Sequence, residues 1–169
     1  MTRSKPKIGV FVLGPLDHSP RMLNHTFSLA EFTKFQVDFV GYRGSSMTAR
    51  VKDFENINIV NIDTSIIDRL KNLPRLFYLF YAIIRIFIQI LQLFYLVAVG
   101  NYDYILMQNP PCVPILMVVV VYRWLQKLCF CKQTKLIIDW HNYGYTIMQS
   151  TGVNRYLCGA AEIYEKFLG

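Results

Sequence analysis

The sequence predicts an α/β fold in which a Rossmann-like parallel sheet carries helices on both faces. Its apolar runs, such as residues 8–13, are nearly continuous, as in strands that are covered on both sides. These runs alternate along the chain with longer segments of helical pattern, which is the order of a layered α/β domain. Three of the runs end in polar turns. With 169 residues, the chain is long enough for one such domain, residues 1–169, with a sizeable core.

Each predicted element follows from a local pattern. Ser19 followed by Pro20 predicts a helix start, since Ser caps helices and Pro suits the first helical position. Alternating apolar and polar residues in 57–62 predict a strand nearer the edge of the sheet, and the polar residues 43–55 predict a loop. The predicted strands are residues 8–13, 37–40, 57–62, 102–107 and the run that begins at residue 136. The predicted helices are residues 20–33, 76–99, 113–128 and 154–167, the last with Glu162, Glu165 and Lys166 on its polar side.

The helix at residues 76–99 is a hydrophobic segment that we expect to associate with a membrane. It has 24 residues and a single charge, Arg85, so it is long enough to cross a bilayer. Its few polar or amphipathic residues recur every three or four positions and form one narrow stripe: Tyr78, Tyr81, Arg85, Gln89 and Gln92. Such a stripe favours a helix that packs under the sheet or lies in the headgroup layer. A membrane span is the alternative.

Composition limits the partners. The chain has 18 basic and 11 acidic residues, a net charge of +7, which suits phosphates or an anionic membrane surface. The basic residues are scattered and form no block that alternates with aromatics, so nucleic acid is disfavoured. The cysteines, Cys112, Cys129, Cys131 and Cys158, lack zinc-site spacing and are expected to be reduced thiols. We therefore expect no metal and no nucleic-acid partner.

The amino terminus and the glycine motifs exclude further classes. The apolar run before Gly14 is too short for the core of a signal peptide, so we expect the chain to begin in the cytosol. The Gly-x-Gly-x-x-Gly fingerprint is absent, and so is the Gly-Lys-Ser/Thr sequence of a P-loop. A nucleotide-dependent oxidoreductase is therefore disfavoured.

The predicted site lies at the polar turns that follow three strands. These are the first turn (residues 14–20), the second turn (108–111) and the third turn (139–145). In open α/β sheets, ligands bind outside the carboxyl ends of the strands. Ser19 and the first amides of the following helix suit a phosphate, with Arg21 beside them. The candidate residues are Gly14, Asp17, His18, Ser19 and Arg21 near the first turn, Gln108 and Asn109 in the second, and Asp139, His141, Asn142 and Tyr143 in the third.

Four strings carry a family resemblance. They are Gly-Pro-Leu-Asp-His-Ser-Pro-Arg-Met at 14–22, Gln-Asn-Pro-Pro at 108–111, Ile-Asp-Trp-His-Asn-Tyr-Gly-Tyr at 138–145 and Glu-Ile-Tyr-Glu-Lys-Phe at 162–167. In this order and at these separations, they resemble the N-terminal half of the chitobiosyldiphosphodolichol β-mannosyltransferases. The resemblance covers nearly the whole chain, from Lys7 onward.

The resemblance implies a GT-B glycosyltransferase, whose active site lies between two Rossmann-like domains. Members move mannose from GDP-mannose to the terminal GlcNAc of dolichol-linked diphosphate chitobiose, with inversion. They act at the cytosolic face of the endoplasmic reticulum membrane in N-glycan precursor synthesis, without a metal or other cofactor. This chain would be the N-terminal, acceptor-side domain. We expect it to lack the family's N-terminal anchor and its C-terminal donor-binding domain, and to be inactive alone.

The resemblance also implies further partners: a separate donor domain, or other early glycosyltransferases of N-glycosylation. A non-catalytic, membrane-associated relative or truncated isoform that binds the intact enzyme or lipid is the alternative function.

An inverting transfer needs a base to take the proton of the acceptor hydroxyl. The candidates are Asp17, His18, Asp139 and His141. We expect the base in the loop that contains Asp17, and a contact from His141 to the donor sugar or its phosphate. Two alternatives remain: His18 is an exposed loop residue without a role, or His141 is a structural histidine bonded to a backbone carbonyl.

Overall fold

A computed structural model describes residues 5–42, 51, 53–63, 78–110, 113–129 and 132–168. The strands are β1 (Lys7–Pro15), β2 (Gln36–Tyr42), β3 (Ile57–Ile62), β4 (Tyr104–Asn109) and β5 (Lys135–Trp140). The helices are α1 (Pro20–Phe32), α2 (Tyr78–Gly100), α3 (Ile115–Leu128), α4 (Gly144–Ser150) and α5 (Arg155–Leu168). All four strand pairings are parallel, in the order β3-β2-β1-β4-β5. The predicted fold class and the edge position of residues 57–62 are confirmed.

The centre of the sheet is β1, because its residues are apolar on both faces. Ile8 and Val10 pack in one core cluster with residues of α1, and Phe11 packs in a second with residues of α2, α3 and α5. Helices thus cover both faces of the sheet. The chain moves outward from β1 to β3 and then returns to β4 on the other side of β1. The strand order therefore reverses between β1 and β4, which is where open α/β sheets bind ligands.

The long helix α2 packs on the sheet through part of its polar stripe. Tyr81 and Gln89 are buried, and the Gln89 amide contacts the hydroxyl of Tyr42 in β2. Gln92 donates to the carbonyl of Asp63 at 3.0 Å, whereas Arg85 is exposed. The opposite face is an exposed apolar stripe: Ile83, Phe87, Leu91, Tyr95 and Val99. The helix thus packs on the sheet, which is one of the two placements that the polar stripe favours.

Two features of the carboxyl-terminal part differ from expectation. The short helix α4 was not predicted. Glu165 was predicted on the polar side of the last helix, and this is wrong, since it is buried and faces the start of α4. Its neighbours do lie on that side, where Lys166 contacts Glu162 at 2.6 Å.

Parts of several predictions lie outside the described residues. They are residues 43–50 and 52 of the loop, residues 76–77 and the side chain of Tyr78 in the hydrophobic segment, Pro111, and two cysteines, Cys112 and Cys131.

A buried polar network joins β2 to the connection between α2 and β4. Tyr102 donates to Asp38 Oδ2 at 2.9 Å, and Lys7 Nζ lies 2.9 Å from the same oxygen. Burial, followed by the charge of Asp38 and the hydrogen bond to it, raises the pKa of Tyr102 far above its ordinary value. The folded protein therefore holds Tyr102 protonated.

We expect alkaline pH to weaken the wild type more than Tyr102→Phe. Because the folded pKa of Tyr102 lies above the unfolded one, its contribution is complete below about pH 10 and is lost as pH rises further. The free energy of unfolding should fall with an additional slope of up to ~1.4 kcal/mol per pH unit that the variant lacks. Urea unfolding between pH 8 and 11 measures this (the range brackets the ordinary tyrosine pKa of about 10). Tyr156→Phe, at an exposed position, is the control, and equal slopes for Tyr102→Phe and wild type would contradict the expectation.

Candidate functional site

The three polar turns lie at one edge of the sheet. Strands β1, β4 and β5 are neighbours and run parallel, so the turns that follow them share the carboxyl edge. The structure therefore places Asp17, Asn109 and His141 at the same edge, as predicted.

The first turn presents one covered acid and one exposed histidine. A short 3-10 helix, Leu16–His18, joins β1 to α1, with Leu16 buried beneath it. The Asp17 side chain is only 11% exposed and the His18 side chain 73%, with Asp17 Oδ1 4.0 Å from His18 Nε2. The turn thus holds a largely buried acid beside an exposed histidine.

The start of α1 agrees with the sequence except at the cap. The helix begins at Pro20, directly after Ser19, but the Ser19 hydroxyl makes no capping hydrogen bond. Gly14 has open space around it, since an added Cβ would meet only Val12, at 3.9 Å. Close packing therefore does not require glycine at this position.

A charged cluster connects α1 to the third turn. Arg21 Nε lies 2.6 Å from Asp139 Oδ2, and His25 Nε2 lies 3.5 Å from the same oxygen. The Asp139 carboxylate is largely buried, and its contact with Arg21 lacks hydrogen-bond geometry, so the attraction is between charges. His25 was not among the predicted site residues. Its position was predictable from the sequence, because a residue four positions after Arg21 lies on the same helix face.

The second turn contains a buried amide without partners. Asn109 is fully buried, and neither Oδ1 nor Nδ2 has a hydrogen-bond partner. Its backbone carbonyl accepts from the His141 amide at 3.3 Å. A buried polar group left unsatisfied costs ~1–3 kcal/mol, so this amide calls for a ligand or an ordered water. Gln108 donates weakly to the Pro110 carbonyl, at 3.4 Å, and its Oε1 is also buried without a partner.

The third turn is exposed and aromatic. His141 and Asn142 are exposed. Within the described parts of the chain, the His141 ring has no bond to a backbone carbonyl, so the alternative of a structural histidine gains no support. The Tyr143 ring contacts those of Trp140 and Tyr145, with centroids 5.2 and 5.3 Å away.

The last helix fixes the end of the third turn. The Gly144 amide donates to Glu165 Oε1 at 2.9 Å. A Cβ at position 144 would lie 2.5 Å from that oxygen, so the close approach needs glycine. Among the described residues, no three His, Cys, Asp or Glu side chains are grouped to hold a metal ion.

The chain is similar over most of its length to curated glycosyltransferases. A Candida albicans protein named chitobiosyldiphosphodolichol beta-mannosyltransferase is 34% identical over 171 residues, which cover 99% of this chain and 35% of that protein. The Mus musculus protein of the same name is 35% identical over 164 residues, or 95% of this chain and 31% of that one. The Arabidopsis thaliana protein UDP-glycosyltransferase TURAN is 36% identical over 151 residues, with coverages of 88% and 31%.

The other comparisons give no match. No family model matches the chain, and no solved structure does. The chain spans about a third of the length of the curated relatives it matches. The resemblance carried by the four strings is thus confirmed along the chain, which is similar to about one third of a chitobiosyldiphosphodolichol β-mannosyltransferase.

Proposed function

We propose that the chain is the acceptor-side domain of a GT-B β-1,4-mannosyltransferase. The assembled enzyme moves mannose from GDP-mannose to the chitobiose of a dolichol-linked diphosphate. The observation that carries the proposal is the charged cluster of Arg21, His25 and Asp139 at the carboxyl edge, beside the point where the strand order reverses. The similarity to named β-mannosyltransferases supports the substrate class.

The cluster suits a diphosphate. The start of α1 offers unpaired amides and the positive end of the helix dipole, and Arg21 stands beside them with its side chain about half exposed. Asp139 holds Arg21 from the inner side and leaves its outer donors free for phosphate oxygens. We assign Ser19, Asn142 and Tyr143, which lie in the first and third turns, to the same substrate-binding surface.

The remaining candidates are assigned by exposure. Asp17 is the proposed base that takes the proton from the acceptor hydroxyl, and the adjacent His18 is the alternative base. His141 is exposed at the outer part of the edge, which suits a contact to the donor sugar or its phosphate. Asn109 and Gln108 supply buried amide atoms for hydroxyl or acetamido groups.

A transfer assay tests the proposal. The substrates are GDP-mannose and a chitobiosyl-diphosphate lipid, and the chain is assayed alone and with the remaining two thirds of a relative supplied separately. We expect no transfer by the chain alone and transfer by the mixture. Mannose transfer by the lone chain would contradict the need for a donor domain. A mixture that uses only UDP-sugars would contradict the proposed donor.

The exposed apolar stripe of α2 favours a second function, membrane association without catalysis. One helical segment in the described chain, Ile83–Gly100, is long and apolar enough to cross a bilayer. Since the other side of α2 packs on the sheet, the stripe is placed to lie on a membrane instead. We propose the cytosolic face of the endoplasmic reticulum as that membrane.

Flotation with liposomes tests the stripe. Of the positions suggested by the sequence, Ile83 is exposed, Ile90 is half-buried and the Leu79 side chain lies outside the described set. We therefore expect the triple variant Ile83→Glu, Phe87→Glu, Leu91→Glu to lose flotation, because each carboxylate would enter the headgroup or acyl region.

The matched control adds the same charge on the other face of the sheet. It is the triple variant Asn24→Glu, Ser28→Glu, Phe32→Glu on α1, where all three side chains are exposed. This control should float as the wild type does. Equal flotation of both triple variants would rule out the stripe as the lipid-binding surface.

A further inference from the structure

A cavity of about 250 Å³ lies beside the candidate site, between the second turn, α4 and α5. Pro110 follows β4 and Gly144 follows β5, so the cavity is at the carboxyl edge of the sheet. Its other lining residues are Val113, Ile147, Met148, Ala161 and Glu165. Val113 and Ile147 are also exposed, which indicates that the cavity opens to solvent on their side.

The lining selects hydrocarbon over a charged group. Its surface is almost entirely apolar, and its volume exceeds the ~150 Å³ of a buried cavity that accepts benzene. Its acidic lining residue, Glu165, is buried and engaged with the Gly144 amide. A phosphate inside the cavity would meet this carboxyl group, so an anionic ligand would have to leave its head outside.

The surroundings supply a place for such a head. The exposed Asn142 lies on the same edge, and Arg21 and the start of α1 lie further along it. A ligand with an anionic head and a branched apolar tail therefore matches the edge and the cavity together.

We infer that the cavity binds the first isoprenoid units of the lipid acceptor, while the diphosphate stays outside on the carboxyl edge. The inference rests on the proposed function for the identity of the lipid. It adds a tail subsite and so predicts selection for prenyl diphosphates over diphosphates without a tail.

Calorimetric titration of the chain with citronellyl diphosphate and with inorganic diphosphate tests the subsite. The wild type should bind the prenyl compound about tenfold or more tightly, because several methylene groups leave water. Ala161→Phe fills the cavity and should reduce citronellyl affinity to that of inorganic diphosphate. Ala160→Phe adds the same ring at the exposed neighbouring position and should change neither affinity.

A second variant tests the cavity independently, in case Ala161→Phe disturbs the fold. Ile147→Asn places an amide at the exposed mouth and should weaken citronellyl binding without affecting inorganic diphosphate. Unchanged citronellyl affinity in both variants, or equal wild-type affinities for the two probes, would overturn the inference. The readout needs no donor sugar. If the mixture fails to transfer mannose but prenyl binding still depends on Ala161, only the proposed function is refuted. If the mixture transfers mannose but the cavity does not bind the prenyl group, only the tail subsite is refuted.

Discussion

Replacing Asp139 with asparagine is expected to lower kcat/KM for mannose transfer by about 100-fold in the assembled enzyme. The change keeps the shape of the side chain but removes the charge that lies 2.6 Å from Arg21 and 3.5 Å from His25. Arg21 is about half exposed, so without this charge its guanidinium would leave the position that faces the diphosphate. A displacement of about 1 Å at a positioning group costs a factor of this order.

A double-mutant cycle identifies the mechanism. If Asp139 acts by holding Arg21, then Arg21→Ala and Asp139→Asn should each cost about the same, and the double variant should cost little more. The unfolding free energies should differ little, because an ion pair with an exposed partner contributes only ~0–1 kcal/mol. Glu31→Gln, on the exposed side of α1, is the control and should leave kcat/KM unchanged. Full additivity would show that the two residues act separately.

The central strands were predictable because burial on both faces requires a continuous run of apolar residues, which is visible in the local sequence. A run such as residues 8–13 cannot form an exposed strand, so its apolar continuity alone implies a central position. The shared edge of the three turns then follows from parallel pairing. His25 was within reach of the same reasoning, since helical spacing places it beside Arg21.

Glu165 was not predictable, because its surroundings come from distant sequence. Glu165 lies three positions after Glu162 and next to Lys166 in the second half of α5, and this local pattern alone suggests a solvated face. The partner that draws Glu165 inward is the amide of Gly144, which precedes it by 21 positions and is brought close only by the turn into α5. The short α4 has the same origin, since its seven residues form a helix too short to be stable by itself.

The sequence alone did not determine the orientation of α2. Its sequence shows that one stripe differs from the rest, but not which side faces the sheet. Tyr42 and Asp63 supply hydrogen-bond partners to Gln89 and Gln92, so part of the polar side turns inward. The fully apolar side is then left facing outward.

Leu93→Ala is expected to lower the free energy of unfolding by ~2–5 kcal/mol, whereas Leu91→Ala should change it by less than ~0.5 kcal/mol. Leu93 is completely buried against the sheet, in the same cluster as Phe11 and Val97, so its truncation leaves a cavity. Leu91 is 54% exposed on the apolar stripe. The two variants delete the same atoms from one helix and differ only in the face they alter.

Urea unfolding of the two variants therefore tests how α2 is held. If α2 crossed a bilayer away from the sheet, both leucines would lie in lipid. Truncation of either leucine would then leave the free energy of unfolding of the sheet unchanged. A large loss for Leu93→Ala and none for Leu91→Ala requires that α2 be part of the folded core. Flotation should show the reverse order, with Leu91→Ala weakening binding to liposomes, since that leucine faces outward on the apolar stripe. Equal unfolding free energies for the two variants would contradict the packed helix.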